Sequence, residues 1–185
     1  MERRTGLVTF SALVLVATSV SVLQAQKTAE TATTTEAVLK APEVGEKLFP
    51  DKVFFRGQVT TVQARNSCGV RYTDEFLVLA ALVDSSGYAS GLKEKYQGYL
   101  LTEVPIAIGG KTLKPGAYGF GFLEGNIFMV MDLGAHDVLE ASSTKDTEIT
   151  RPVPLQVRGE QETGHYRLYK GREYVEFQRL PSSPG

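Results

Sequence analysis

The sequence predicts an all-β fold, an antiparallel β-sandwich or a small β-barrel in a single domain, and three observations carry that prediction. Short apolar or alternating runs recur from Asp51 to Leu180, roughly eight to twelve residues apart and bounded by turn residues. No stretch sustains a long helical repeat. From Val104 to Asp132 three strands follow in succession, with Gly109-Gly110, Pro115-Gly116 and Glu124-Gly125-Asn126 at the junctions. Within that stretch Tyr118, Phe120 and Phe122 alternate with Gly119 and Gly121. Residues i and i+2 share a strand face, so one face carries three rings and the other almost nothing.

Taken in order, the chain opens with a segment that reads as a secretory signal over residues 1–25. Arg3 and Arg4 form a positive start, an apolar run extends from Leu7 to Leu23, and Ala25 offers a cleavage point. The run is short and lightly apolar for a stable membrane span, so none is expected once the signal is cleaved. Residues 26–50 are rich in Thr, Ala and Glu, a composition that buries little and predicts a flexible leader. The β domain is expected over 51–180 and a frayed tail over 181–185.

Within the domain, Val53-Phe54-Phe55 is a short apolar run. Gln58 to Ala64 alternates, with Thr60 and Val62 on one face and Val59, Thr61 and Gln63 on the other, and Cys68 to Tyr72 reads as another short strand. Phe76 to Val83 is wholly apolar, which predicts a central strand buried on both faces. Ser85 to Gly98 is the longest polar interruption, with a helical turn expected over Leu92 to Tyr96. Tyr99 to Ile108 resumes as strand, with Pro105 marking an edge or bulge. Leu133 to Thr147 reads as looser chain, and Pro152 with Pro154 predicts an edge strand over Ile149 to Arg158. His165 to Tyr169, a Lys170-Gly171 turn and Tyr174 to Arg179 make a closing hairpin.

The 185 residues are 42% hydrophobic and 22% charged, enough for one domain with its own core. A net charge of −1 excludes the basic footprint that a nucleic-acid binder needs. The single cysteine, Cys68, forms no internal disulfide, so burial must hold the fold; the thiol reads as buried and inert.

The run Gly110-Lys111-Thr112-Leu113-Lys114-Pro115-Gly116-Ala117-Tyr118, G-K-x-L-x-x-G-x-Y, resembles a hairpin of small exported bacterial β-sandwich domains of unknown function. The closing hairpin from Tyr166 to Val175 is similar to their last strands. The match covers about a sixth of the chain. The resemblance implies a β-sandwich outside the cytoplasm, periplasmic or secreted, and brings no catalytic residues with it.

Candidate chemistry centres on the two histidines, His136 and His165. Asp132, His136 and Asp137 place acid–base or ligating groups within six residues, the seed of a small hydrolase or metal-dependent enzyme. Adjacent His and Asp side chains point apart in extended chain, however, and no HxH or HxxxH spacing accompanies them. Polar residues of a turn are the plainer reading, so no catalytic residue, metal or cofactor is expected. Gly87-Tyr88-Ala89-Ser90-Gly91 lacks the G-x-S-x-G elbow spacing. His165, Arg167 and Tyr169 share a strand face. That face is solvent if Tyr166 and Leu168 turn to the core, and an anion-gripping row if it lines a barrel lumen. Tyr88, Tyr96 and Tyr99 surround the Ser85–Gly98 loop, which makes the loop a candidate recognition surface. Tyr118 and Phe120 would add a ligand wall in a hollow barrel, and core in a filled sandwich. Gly119 and Gly121 mark either a close approach of second chain or the floor of a pocket. The function expected is a non-catalytic binding or interaction module of the cell envelope. Its partner would be a small molecule or an envelope protein; a structural envelope component is the further alternative.

Overall fold

The structure, a computed structural model, describes residues 35–160 and 163–181. The expected signal over 1–25, residues 26–34 and residues 182–185 lie outside the described part.

Fourteen strands and two short helices are described, and the strands form two antiparallel sheets. The larger sheet runs β1 (Ala37–Leu39), β3 (Gln58–Arg71), β4 (Leu77–Val83), β5 (Gly98–Thr102), β8 (Gly116–Leu123), β9 (Ile127–Met131) and β10 (Asp137–Ser142), with β2 (Lys52–Phe55) paired to β3. The smaller runs β12 (Gln156–Glu160), β13 (His165–Lys170), β14 (Glu173–Arg179), β6 (Ile106–Ile108) and β7 (Lys111–Leu113), with β11 (Thr144–Lys145) paired to β14. The sheets do not close into a barrel: the fold is sandwich-like.

The core between the sheets takes one face of each. Val70, Val78, Ala80, Leu100, Phe120, Phe122, Phe128 and Val130 come from the larger sheet; Ile106, Ile108, Val157, Tyr166, Leu168, Val175 and Phe177 come from the smaller. The wholly apolar run that predicts a doubly buried strand is β4. Its Val78 and Ala80 enter this core, while Leu79, Ala81 and Val83 enter a second one. That second core exists because the outer face of the larger sheet is also covered. The helix α1 (Ala41–Gly45), β2, the start of β3 and the segment leading through the helix α2 (Ser90–Lys95) lie over it.

The cover overturns the flexible leader for residues 35–50. Leu39, Val44 and Phe49 are buried in the second core, and β1 pairs with Gly69–Arg71 of β3. Pro42 sits in the first turn of α1, where its missing N–H costs nothing. Three well-placed apolar residues suffice to dock this segment onto a surface that would otherwise stay wet, although its average composition is that of a solvated chain.

Four other elements differ from expectation, the first being the edge strand expected over Ile149 to Arg158, which begins only at Gln156, after Pro152 and Pro154. The runs Gln58–Ala64 and Cys68–Tyr72 are one strand interrupted by a bulge, since pairing with β4 jumps from Val62↔Val83 to Ser67↔Ala81. Tyr99–Ile108 divides around Pro105, where the chain leaves the larger sheet after Thr102 and enters the smaller at Ile106. The stretch read as loose contains β10, which pairs with β9 and buries Leu139 and Ala141. Its alternation is only two apolar residues long, one of them alanine, too short a period to register in sequence. Among the described residues no helix is long and apolar enough to cross a membrane.

Candidate functional site

The His136 neighbourhood is a self-contained turn. Asp132 accepts hydrogen bonds at Oδ1 from the backbone N–H of Gly134 at 2.8 Å and of His136 at 2.9 Å. Its Oδ2 lies 2.9 Å from Nδ1 of His136. The imidazole is 80% exposed. Asp137 does not join this pair, because Lys95 Nζ on α2 holds its carboxylate at 2.9 Å. The structure therefore brings together two of the three residues, in open solvent. Among the described residues no group of three or more His, Cys, Asp or Glu side chains converges as a metal-binding set.

The Asp132 carboxyl is held below its ordinary value of 3.8, first by the backbone N–H of His136 and then by the imidazole. A lowered folded-state pKa contributes stability that is full above the unfolded value and is lost as pH falls through the folded one. Asp132→Asn should accordingly melt below wild type at neutral pH, and the gap should close as pH drops below 3.8. Thermal melts of both proteins between neutral and acid pH read this out. A constant gap across the range would remove the carboxylate from the account.

The loop tyrosines do not form a recognition surface. Tyr88, Tyr96 and Tyr99 are all buried in the second core. The Tyr96 ring stacks on Phe55 at 3.7 Å, and the Tyr88 hydroxyl donates to the Phe55 carbonyl at 2.8 Å. Tyr88 and Tyr96 land on the outer face of the larger sheet and Tyr99 projects from β5 on that same face, where burial favours each ring. Phe120 is fully buried, packed with Phe122 and Phe128 in the core between the sheets. Tyr118 is partly buried at the edge of that core, its hydroxyl donating to the Lys114 carbonyl at 3.0 Å. The aromatic stripe is core rather than ligand wall. The glycines opposite it mark close approach: a methyl on Gly121 would lie 2.2 Å from the Lys95 carbonyl oxygen, and one on Gly119 would meet the Phe55 ring at 2.5 Å. Cys68 is buried in the same core as Phe120, and burial pushes its thiol pKa up, which leaves it inert.

The polar groups that do converge lie on the outer face of the smaller sheet. Tyr166 and Leu168 turn into the core, so His165, Arg167 and Tyr169 take the opposite face of β13. That face forms an open concavity of about 620 Å³ lined by Asp146, Arg158, Thr163, His165, Arg167, Tyr169 and Glu176, among others. Arg158 and Arg167 are direct cross-strand partners on β12 and β13, and Arg167 is in turn opposite Glu176 on β14. The Arg167 guanidinium meets Glu176 Oε1 at 3.0 Å and lies 4.7 Å from the centre of the Tyr174 ring. The Arg158 guanidinium lies 5.3 Å from the centre of the Tyr169 ring, and its Nε donates to Gln156 Oε1 at 3.1 Å.

Tyr169 is buried beneath these cations, its hydroxyl donating to Asp146 Oδ2 at 2.9 Å. That bond, with the Glu148 N–H and the charges of Arg158 and Arg167, holds the Asp146 carboxyl below the usual range. Sequence reading found the His165–Arg167–Tyr169 row but missed Arg158, Asp146 and Glu176. Alternation within β13 identifies only β13's own face; the partners follow from cross-strand register, and across the β13–β14 hairpin that register is set by a loop at Gly171-Arg172, one residue on from the expected Lys170-Gly171 turn. No protein family, curated protein or solved structure matches this chain.

Proposed function

We propose that this protein is an exported, non-catalytic binding module of the cell envelope whose ligand-contacting surface is the outer face of the smaller sheet. One observation carries the placement: the polar concavity is built on a hairpin, β13–β14, whose other face is locked into the core by Tyr166, Leu168, Val175 and Phe177. Side chains on a rigid strand hold their positions better than side chains on a loop, and a few convergent polar groups in a concave site are what a small ligand needs. Support for export comes from Arg3, Arg4, the apolar run to Leu23 and the small residue at Ala25. The rival reading, a small hydrolase centred on His136, draws on the 2.9 Å contact with Asp132. It is disfavoured because Asp137 is engaged by Lys95 and the imidazole stands in open solvent.

Native mass spectrometry of the protein recovered from the cell envelope fraction tests the reading. The expected spectrum shows a chain lacking residues 1–25 with a reproducible added mass. That mass should disappear in the double variant Arg158→Gln/Arg167→Gln. A chain retaining residues 1–25 and recovered in the cytoplasm would sink the export claim. An added mass that survives the double variant but disappears in His136→Ala would move the site to the Asp132 turn.

A further inference from the structure

The concavity on the smaller sheet carries information about ligand charge, shape and polarity, and the inference drawn from it rests on the binding reading above. Arg158 and Arg167 face each other directly across β12 and β13, an arrangement of like charges that destabilises a sheet unless something sits between or beside them. Glu176 answers Arg167, whereas the Arg158 Nε donates to the neutral amide oxygen of Gln156. Each guanidinium is also held against a ring, Arg158 over Tyr169 and Arg167 over Tyr174, so the two forks are oriented before any ligand arrives.

The acids around them restrict the incoming charge. Asp146 and Glu176 line the same concavity, so a doubly charged phosphate placed between the arginines is repelled by two carboxylates more strongly than a singly charged anion is. A planar carboxylate brings one charge and matches the guanidinium fork in bidentate fashion. The walls restrict the remainder of the ligand. Tyr169 is 2% exposed and the Tyr174 ring lies against Arg167, so little bare aromatic face is presented to an apolar group. Asp146 and Glu176 instead present acceptors suited to hydroxyl hydrogens. A ligand that is polar throughout, with one carboxylate and several hydroxyls, fits these conditions together. We propose that the concavity binds an acidic sugar, its carboxylate held between Arg158 and Arg167 and its hydroxyls donating to Asp146 and Glu176.

Calorimetric titration of the exported protein with digalacturonate tests this, with its dimethyl ester, maltose and inorganic phosphate as comparison ligands. The expected result is saturable binding of digalacturonate, weakened about tenfold or more in Arg158→Gln and in Arg167→Gln while the melting temperatures stay near wild type. The ester and maltose should bind at least about tenfold more weakly. Maltose or the ester binding as tightly as digalacturonate, with the same dependence on the arginines, would overturn the acidic-sugar assignment and leave the binding face intact. Phosphate binding more tightly than digalacturonate would overturn it in favour of a compact anion. No heat from digalacturonate, alongside an envelope-derived mass that depends on Arg158 and Arg167, would also defeat the sugar and spare the binding reading. Loss of that mass dependence as well would defeat both.

Discussion

Phe55→Ala should lower the stability of the folded protein by about 4 kcal/mol, the range measured when a fully buried phenylalanine is truncated. Phe55 ends β2 and is fully buried, although its neighbour Phe54 is 53% exposed. Its ring stacks on Tyr96 at 3.7 Å and meets Tyr88 edge-on at 6.1 Å. Its carbonyl takes the Tyr88 hydroxyl, and the absent side chain of Gly119 leaves the space the ring occupies. The substitution therefore removes the residue on which the cover of the larger sheet converges. Chemical denaturation followed by both circular dichroism and tyrosine fluorescence measures the loss. Coincident transitions shifted by the full amount mean that the cover and the sandwich unfold together. A shift below about 1 kcal/mol, with only the tyrosine signal displaced, would show the cover peeling away on its own and the second core contributing little.

Gly121→Ala should cost about 3 kcal/mol, at the upper end of what overpacking a well-packed site costs. The added methyl would stand 2.2 Å from the Lys95 carbonyl oxygen and 2.9 Å from its carbon, and backbone cannot swing aside as a flexible side chain does. Relief requires α2 to lift off β8, which would loosen Tyr96 from Phe55. Gly91→Ala is the matched control: it lies in α2 with nothing within 4 Å of its added methyl, so it should be neutral or slightly stabilising. Melting curves of the two variants compare the positions directly. Equal effects would mean that α2 does not press on β8 in solution and that the twin glycines have another purpose.

Both predictions concern features that sequence alone presents ambiguously. Gly119 and Gly121 are visible as gaps opposite the aromatic stripe, but whether chain or ligand fills the gaps depends on Phe55, Tyr96 and Lys95, between 23 and 64 residues away in sequence. The tyrosines of the Ser85–Gly98 loop lie among polar residues, a setting that predicts a surface position. They are buried because the sheet beneath them presents Leu79, Ala81 and Met131, an apolar face belonging to other strands. The concavity on the smaller sheet follows the same rule. Alternation in β13 put His165, Arg167 and Tyr169 on one side, but the concavity needs Arg158 from β12, Glu176 from β14 and Asp146 beyond β11.

What the sequence determined by itself is the local part of the structure. Period-two alternation, wholly apolar β4 and glycine-bearing turns at Gly109-Gly110, Gly125-Asn126 and Gly171 predicted an all-β chain and several of its hairpins, and the positive φ angles at those turns are the physical reason. Tertiary structure alone decided that the fold is a sandwich and not a barrel, that residues 35–50 cover the larger sheet, and that two arginines from different strands share a cavity. Those outcomes depend on which apolar faces find each other and on cross-strand register. The first two are set by burial and pairing between segments far apart in the chain; the arginine pair is set by the register of neighbouring strands, which alternation within one strand does not record.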